Sequence, residues 1–144
     1  MRTLILLLVM AIPVGAQHKN PFKSWEFWAG TAVEVGAAVF DARTTNNYLR
    51  VCRQNFNNVG CWETNPILGR YPSPKRVYIT GTAFIAGKRL LIAWAWKKNP
   101  KMGRGLNIAS ATAHTIFHVS YGISNIDNKE DLQRICGSWE TGCK

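Results

Sequence analysis

Two histidines, His114 and His118, stand four residues apart, a spacing that puts both imidazoles on one helix face and can chelate a metal ion. A catalytic site would also need a third ligand and a base. The H-E-x-x-H pattern carries such a base between its histidines, but here Thr115 stands in that glutamate's place. The third ligand would have to come from Glu34, Asp41 or Glu63, and no spacing dedicates any of them to it. Lys88 and Arg89 add positive charge that repels a dication. The pair is therefore read as hydrogen-bonding histidines, with no metal and no cofactor. A membrane-embedded metal-dependent hydrolase, or an ion-binding protein, using His114, His118 and the acids is the alternative.

The four cysteines, Cys52, Cys61, Cys136 and Cys143, contain no C-x-x-C pair, which excludes a thioredoxin-type site. An even count in an exported chain favours disulfides, and the two short-loop pairings are Cys52–Cys61 and Cys136–Cys143. Export is read from the start of the chain. Arg2 is followed by the apolar run 3–12, by Pro13, and by the small residues Gly15 and Ala16, the layout of a secretory signal peptide cleaved after Ala16. Residues 1–16 are then the signal and 17–144 a single domain.

The chain has 144 residues, 18 basic and 8 acidic, for a net charge of +10. Its 47% hydrophobic content argues against disorder. The length rules out a two-domain nucleotide-binding architecture, and there is no G-x-G-x-x-G or Walker loop. From 64 to 126 there is no acid, and nine bases fall there: Arg70, Lys75, Arg76, Lys88, Arg89, Lys97, Lys98, Lys101 and Arg104. No nucleic-acid motif accompanies them, so nucleic acid is not the expected partner. Anionic lipid headgroups fit basic residues that flank apolar segments, and a solvated basic face without a specific partner is the competing reading.

The elements that must position these groups are helices. Apolar segments cover 28–49, 77–96 and 105–126, joined by a polar loop at 50–76 and a basic turn at 97–104. Asp127 with Glu130 three residues on reads as the start of a short C-terminal helix, with Gly137 as its cap. Trp25, Phe27 and Trp28 resemble an interfacial aromatic cluster. Small residues at Ala83 and Gly87, and at Ala109 and Ala113, suit close helix contact. The segments are long enough to span a bilayer, yet none is purely apolar, and a charged side chain at mid-bilayer costs about 2.5–3.5 kcal/mol. Antiparallel packing brings the charges to one depth. Glu34 and Asp41 then face Lys88 and Arg89, with His114 and His118 beside them, as a buried polar belt. Such a belt either holds three helices together or forms a proton, ion or ligand site.

Asp41-x-x-Thr44, followed by Glu63-x-Asn65-Pro66-Ile67-Leu68-Gly69, resembles a signature of small uncharacterised bacterial helical membrane proteins. The resemblance covers roughly 28–125 and implies a three- or four-helix membrane-associated bundle without assigning an activity. The longer cysteine-bearing loop and the added tail depart from that pattern.

The expectation is an all-α fold of three main antiparallel helices plus a short C-terminal helix, membrane-embedded or membrane-associated. The role is non-enzymatic and otherwise open, the partner is the membrane, and no protein partner is identified. The location is the bacterial cell envelope at the inner membrane. A soluble periplasmic disulfide-bonded helical protein is the alternative.

Overall fold

The computed structural model describes residues 19–56, 68 and 72–137, apart from the side chains of 55, 56 and 135–137. The signal segment 1–16, Cys61, Glu63, Asn65, Pro66, Cys143 and the side chain of Cys136 lie outside the described residues.

Three helices pack together: α1 (Trp25–Phe56), α2 (Pro74–Lys98) and α3 (Pro100–Gly137). No strand occurs among the described residues. Local chemistry accounts for the boundaries. Asn20 caps a short 3-10 turn, Pro21–Lys23, by accepting from Phe22 N at 3.1 Å, and Ser24 then leads into α1. Ser73 caps α2, its Oγ accepting from Arg76 N at 3.2 Å, and Pro74 follows where a missing N–H costs nothing. Lys97 and Lys98 close the last turn of α2, where cations suit the exposed carbonyls. Asn99 then serves both helices. Its N–H reaches Ala95 O at 2.8 Å, and its Oδ1 accepts from Lys101 N at 3.1 Å and Met102 N at 3.2 Å. The basic turn expected at 97–104 thus shrinks to one extended residue, because an asparagine followed by a proline both ends a helix and starts the next.

The expected short C-terminal helix is a correction. α3 runs unbroken for 38 residues to Gly137. No proline interrupts it, and around Asp127 the backbone donors already have partners one turn earlier, so there is nothing for a capping box to cap. Asp131 and Arg134 instead pair along the helix surface at 3.3 Å.

α2 runs antiparallel to both neighbours, while α1 and α3 lie parallel and share the most extensive contact. Two apolar clusters close the bundle. Phe27, Ile92, Ala93 and the fully buried Trp96 form one, with Phe27 edge-on to Trp96 at 6.2 Å. Ala42, Leu68 and Val77 form the other. Close approach depends on glycines other than the expected small pairs. A Cβ on Gly103 would overlap the Trp96 backbone, and one on Gly122 would overlap the Phe40 ring. Ala83, Gly87, Ala109 and Ala113 face outward, because the bundle turns the polar side of α2 and α3 inward.

The expected transmembrane helices are also corrected. Among the described residues no helix is long and apolar enough to cross a membrane. Polar residues interrupt each helix: Glu34 and Asp41 in α1, Lys88 and Arg89 mid-way along α2, and Asn107, His114, His118 and Asn125 in α3.

Candidate functional site

The polar belt is built around Glu34, which is 0% exposed. A buried carboxylate needs a donor for each lone pair. Arg89 donates through Nε to Oε2 at 3.0 Å and sets Nη2 in an ion pair 2.9 Å from Oε1, a two-point fork on the carboxylate. Lys88 Nζ lies 3.1 Å from Oε1, and Ser110 Oγ donates to the same oxygen at 2.6 Å. The adjacent Lys88 and Arg89 both reach one acid because the lysine is long enough to bend back around the helix. Arg89 also donates through Nη1 to Asn107 Oδ1. Asn107 in turn donates to Glu26 O at 2.9 Å, which ties all three helices at one level.

Asp41 does not face Lys88 and Arg89 as expected, which corrects the register expected from residue counting. Two turns of α1 separate it from Glu34, so it lies beyond their reach and meets α3 instead. Its Oδ2 accepts from His118 Nδ1 at 2.6 Å, and its Oδ1 lies 3.4 Å from both Thr45 Oγ1 and Asn125 Nδ2. Asn125 also donates to Thr45 Oγ1 at 2.8 Å. Thr44 turns away from this cluster and donates to Asp41 O at 2.9 Å.

His114 links the two halves. Lys88 Nζ lies 3.1 Å from its Nδ1, and an ammonium only donates, so Nδ1 accepts and the ring hydrogen sits on Nε2. Phe84 stacks on the imidazole at 6.5 Å, and the His114 and His118 rings are 4.1 Å apart. A continuous polar file therefore runs Glu26, Asn107, Arg89, Glu34, Lys88, His114, His118, Asp41 and Asn125. Arg104 closes one end on Glu26 at 2.8 Å. Its three carboxylates, Glu26, Glu34 and Asp41, match its three fixed cations, Lys88, Arg89 and Arg104.

Lys88 sits on one imidazole and Asp41 on the other, so neither ring is left with two free positions. With Nδ1 facing the Lys88 ammonium and the ring hydrogen on Nε2, His114 has no free lone pair for a metal. Among the described residues, no group of three or more His, Cys, Asp or Glu side chains is placed to hold a metal ion. Cys52 is buried at 2% exposure and is not a free thiol. The pairings expected for the cysteines fall on Cys61, Cys136 and Cys143, whose side chains are not described. Glu63, Asn65 and Pro66 are likewise outside the described residues.

Sequence reasoning missed Glu26, Thr45, Arg104, Asn107, Ser110 and Asn125. A signal for the α3 members was present: Asn107, Ser110, His114, His118 and Asn125 recur at helical spacing as one polar stripe.

Comparison of the chain with family models, with curated proteins and with solved structures finds no match.

Proposed function

We propose that this chain is a membrane-embedded helical bundle of the bacterial inner membrane, non-enzymatic, held together by an internal ion-pair file rather than by an apolar core. The observation that carries this reading is the distribution of charge between inside and outside. Along α1, every exposed residue from Trp25 to Phe40 is uncharged, with Glu26 and Glu34 turned inward. The same holds along α2 from Tyr78 to Trp94 and along α3 from Met102 to Ile126. The α1 and α2 stretches are about 24 Å of helix each, short of the ~30 Å hydrocarbon core of a bilayer, so the bundle would be embedded as a unit and not through any single apolar span.

Exposed side chains in this band include Val39, Ile79, Phe84, Leu90, Leu91, Ile116 and Phe117, several of them more than half exposed. Charged residues bound the band at both ends: Lys19, Lys23, Lys97, Lys98 and Lys101 at one, and Arg43, Arg50, Lys75, Arg76 and Asp127 at the other. An apolar surface of this extent is what lipid would cover. Chain-averaged hydropathy is low because it counts Glu34, Lys88 and Arg89, which lipid would not meet. The file's matched charges lower the cost of carrying them at mid-depth. The likeness to small bacterial helical membrane proteins through Asp41 and Thr44 points the same way.

The test is fractionation of cells expressing the full chain. The protein is expected to stay in the membrane pellet through an alkaline carbonate wash and to leave it only with detergent. Complete release into the carbonate supernatant would overturn the reading and favour the soluble periplasmic alternative.

A further inference from the structure

Of the nine bases between 64 and 126, Arg70 lies outside the described residues, and the other eight do not form one patch. Lys88, Arg89 and Arg104 are spent inside on Glu34 and Glu26. Lys75 and Arg76 lie at the start of α2. Lys97, Lys98 and Lys101 lie at the other end of the bundle, around the α2–α3 reversal, and all three are exposed. There the fold adds Lys19 and Lys23 from the approach to α1, also exposed. Among the described residues this end displays five lysines and no exposed acid, because Glu26 is buried against Arg104. The opposite end mixes its bases with exposed Asp127, Glu130 and Asp131.

Exposed indoles stand within a turn or two of the lysines along the chain. Trp25 and Trp28 are each 53% exposed and Trp94 is 62% exposed, at the edge of the apolar band. Trp28 is held by a 3.0 Å hydrogen bond from its indole Nε1 to Phe22 O, and Lys97 Nζ lies 5.8 Å over the Phe22 ring. Indoles at the edge of an apolar band, with ammonium groups one layer further out, match the order of a bilayer's interface: hydrocarbon boundary, then headgroup phosphate.

We infer that this lysine–tryptophan collar binds the headgroups of anionic phospholipids, so the end carrying Asn99 is the lipid-selective end of the bundle. The inference rests on the embedding reading and adds to it which lipids surround which end. Ammonium groups on flexible stems suit phosphates that diffuse in the plane, and the indoles fix the depth at which they meet them. Nothing comparable is expected at the opposite end, where three acids offset the attraction.

The experiment reconstitutes the full chain into bilayers of equal parts phosphatidylglycerol and phosphatidylcholine. It measures the relative association of spin-labelled forms of the two lipids with the protein. Phosphatidylglycerol is expected to be preferred at low salt, with the preference falling as salt screens the lysines. The triple variant Lys97→Gln, Lys98→Gln, Lys101→Gln should lower the preference at least about fivefold, the effect of one lysine near an anionic surface. The matched variant Arg43→Gln, Arg50→Gln, Lys75→Gln should leave most of it. An embedded protein whose preference survives the collar variant, or is lost in the matched variant instead, would overturn the collar while leaving the embedding intact. Protein recovered only in the aqueous fraction would refute the embedding and the collar with it.

Discussion

Replacing Glu34 with glutamine keeps the shape of the side chain and removes its charge. In the wild type this carboxylate takes the Arg89 fork, Lys88 and Ser110, all from a position with no solvent contact. Glutamine keeps one acceptor oxygen and turns an NH2 toward a donor, leaving two buried cations facing an amide. Removing one partner of a buried pair costs about 3–5 kcal/mol, and Glu34 serves two cations, so Glu34→Gln is expected at the upper end of that range. Arg89→Met removes the fork but leaves Glu34 with Lys88 and Ser110, at about 3 kcal/mol.

The double variant separates pairing from bulk. With the fork and the carboxylate both gone, no buried guanidinium is left unpaired, and Lys88 keeps its 3.1 Å contact with His114. The double loss should then be close to that of Glu34→Gln alone, a coupling of about 2–3 kcal/mol. The assay is a denaturant titration of the detergent-purified chain followed by helical circular dichroism. Losses that add to within about 0.5 kcal/mol would refute the pairing argument, because uncoupled sites behave that way.

The other side of the file predicts a different pattern. Asp41→Asn weakens the 2.6 Å contact to the partly buried His118 and is expected to cost about 1.5–3 kcal/mol, with no rescue from Lys88→Ala, since Lys88 pairs elsewhere; rescue in the same titration would contradict the register seen here. Gly103→Val is expected to destabilise by about 3 kcal/mol because it drives into the Trp96 backbone, whereas Gly87→Ala, with open space around it, should gain about 1 kcal/mol from helix propensity. Melting curves of the two variants check both signs. Metal analysis of the purified chain is expected to find no stoichiometric metal, and a chelator should leave melting unchanged; one zinc per chain, lost in His114→Ala, would reinstate a metal site. Non-reducing peptide mapping is expected to show Cys52–Cys61 and Cys136–Cys143 links, and four free thiols in freshly blocked cells would remove them.

Much of the architecture was legible in the residues themselves. Proline after Ser73 and after Asn99 marks the starts of α2 and α3, since these are local hydrogen-bonding choices completed within a few residues. The shared depth of Glu34, Lys88, Arg89 and His114 follows from counting residues along helices joined by a tight reversal. The unbroken length of α3 was less plain, because Asp127 and Glu130 carry the same pattern whether they open a helix or lie within one.

Which acid meets which base was decided only by tertiary structure. Partners such as Glu34 and Arg89, or Asp41 and His118, are far apart along the chain, and each pairing depends on how far every helix is rotated about its axis. The close approaches at Gly103 and Gly122 set that rotation, and hydropathy along the chain does not report it. The parallel packing of α1 on α3 gave Asp41 to His118 rather than to α2. It also drew Asn107 and Ser110 into the centre. The same rotation split one basic stretch into a buried part and an exposed collar, because a charge's role depends on which side of the helix faces its neighbours.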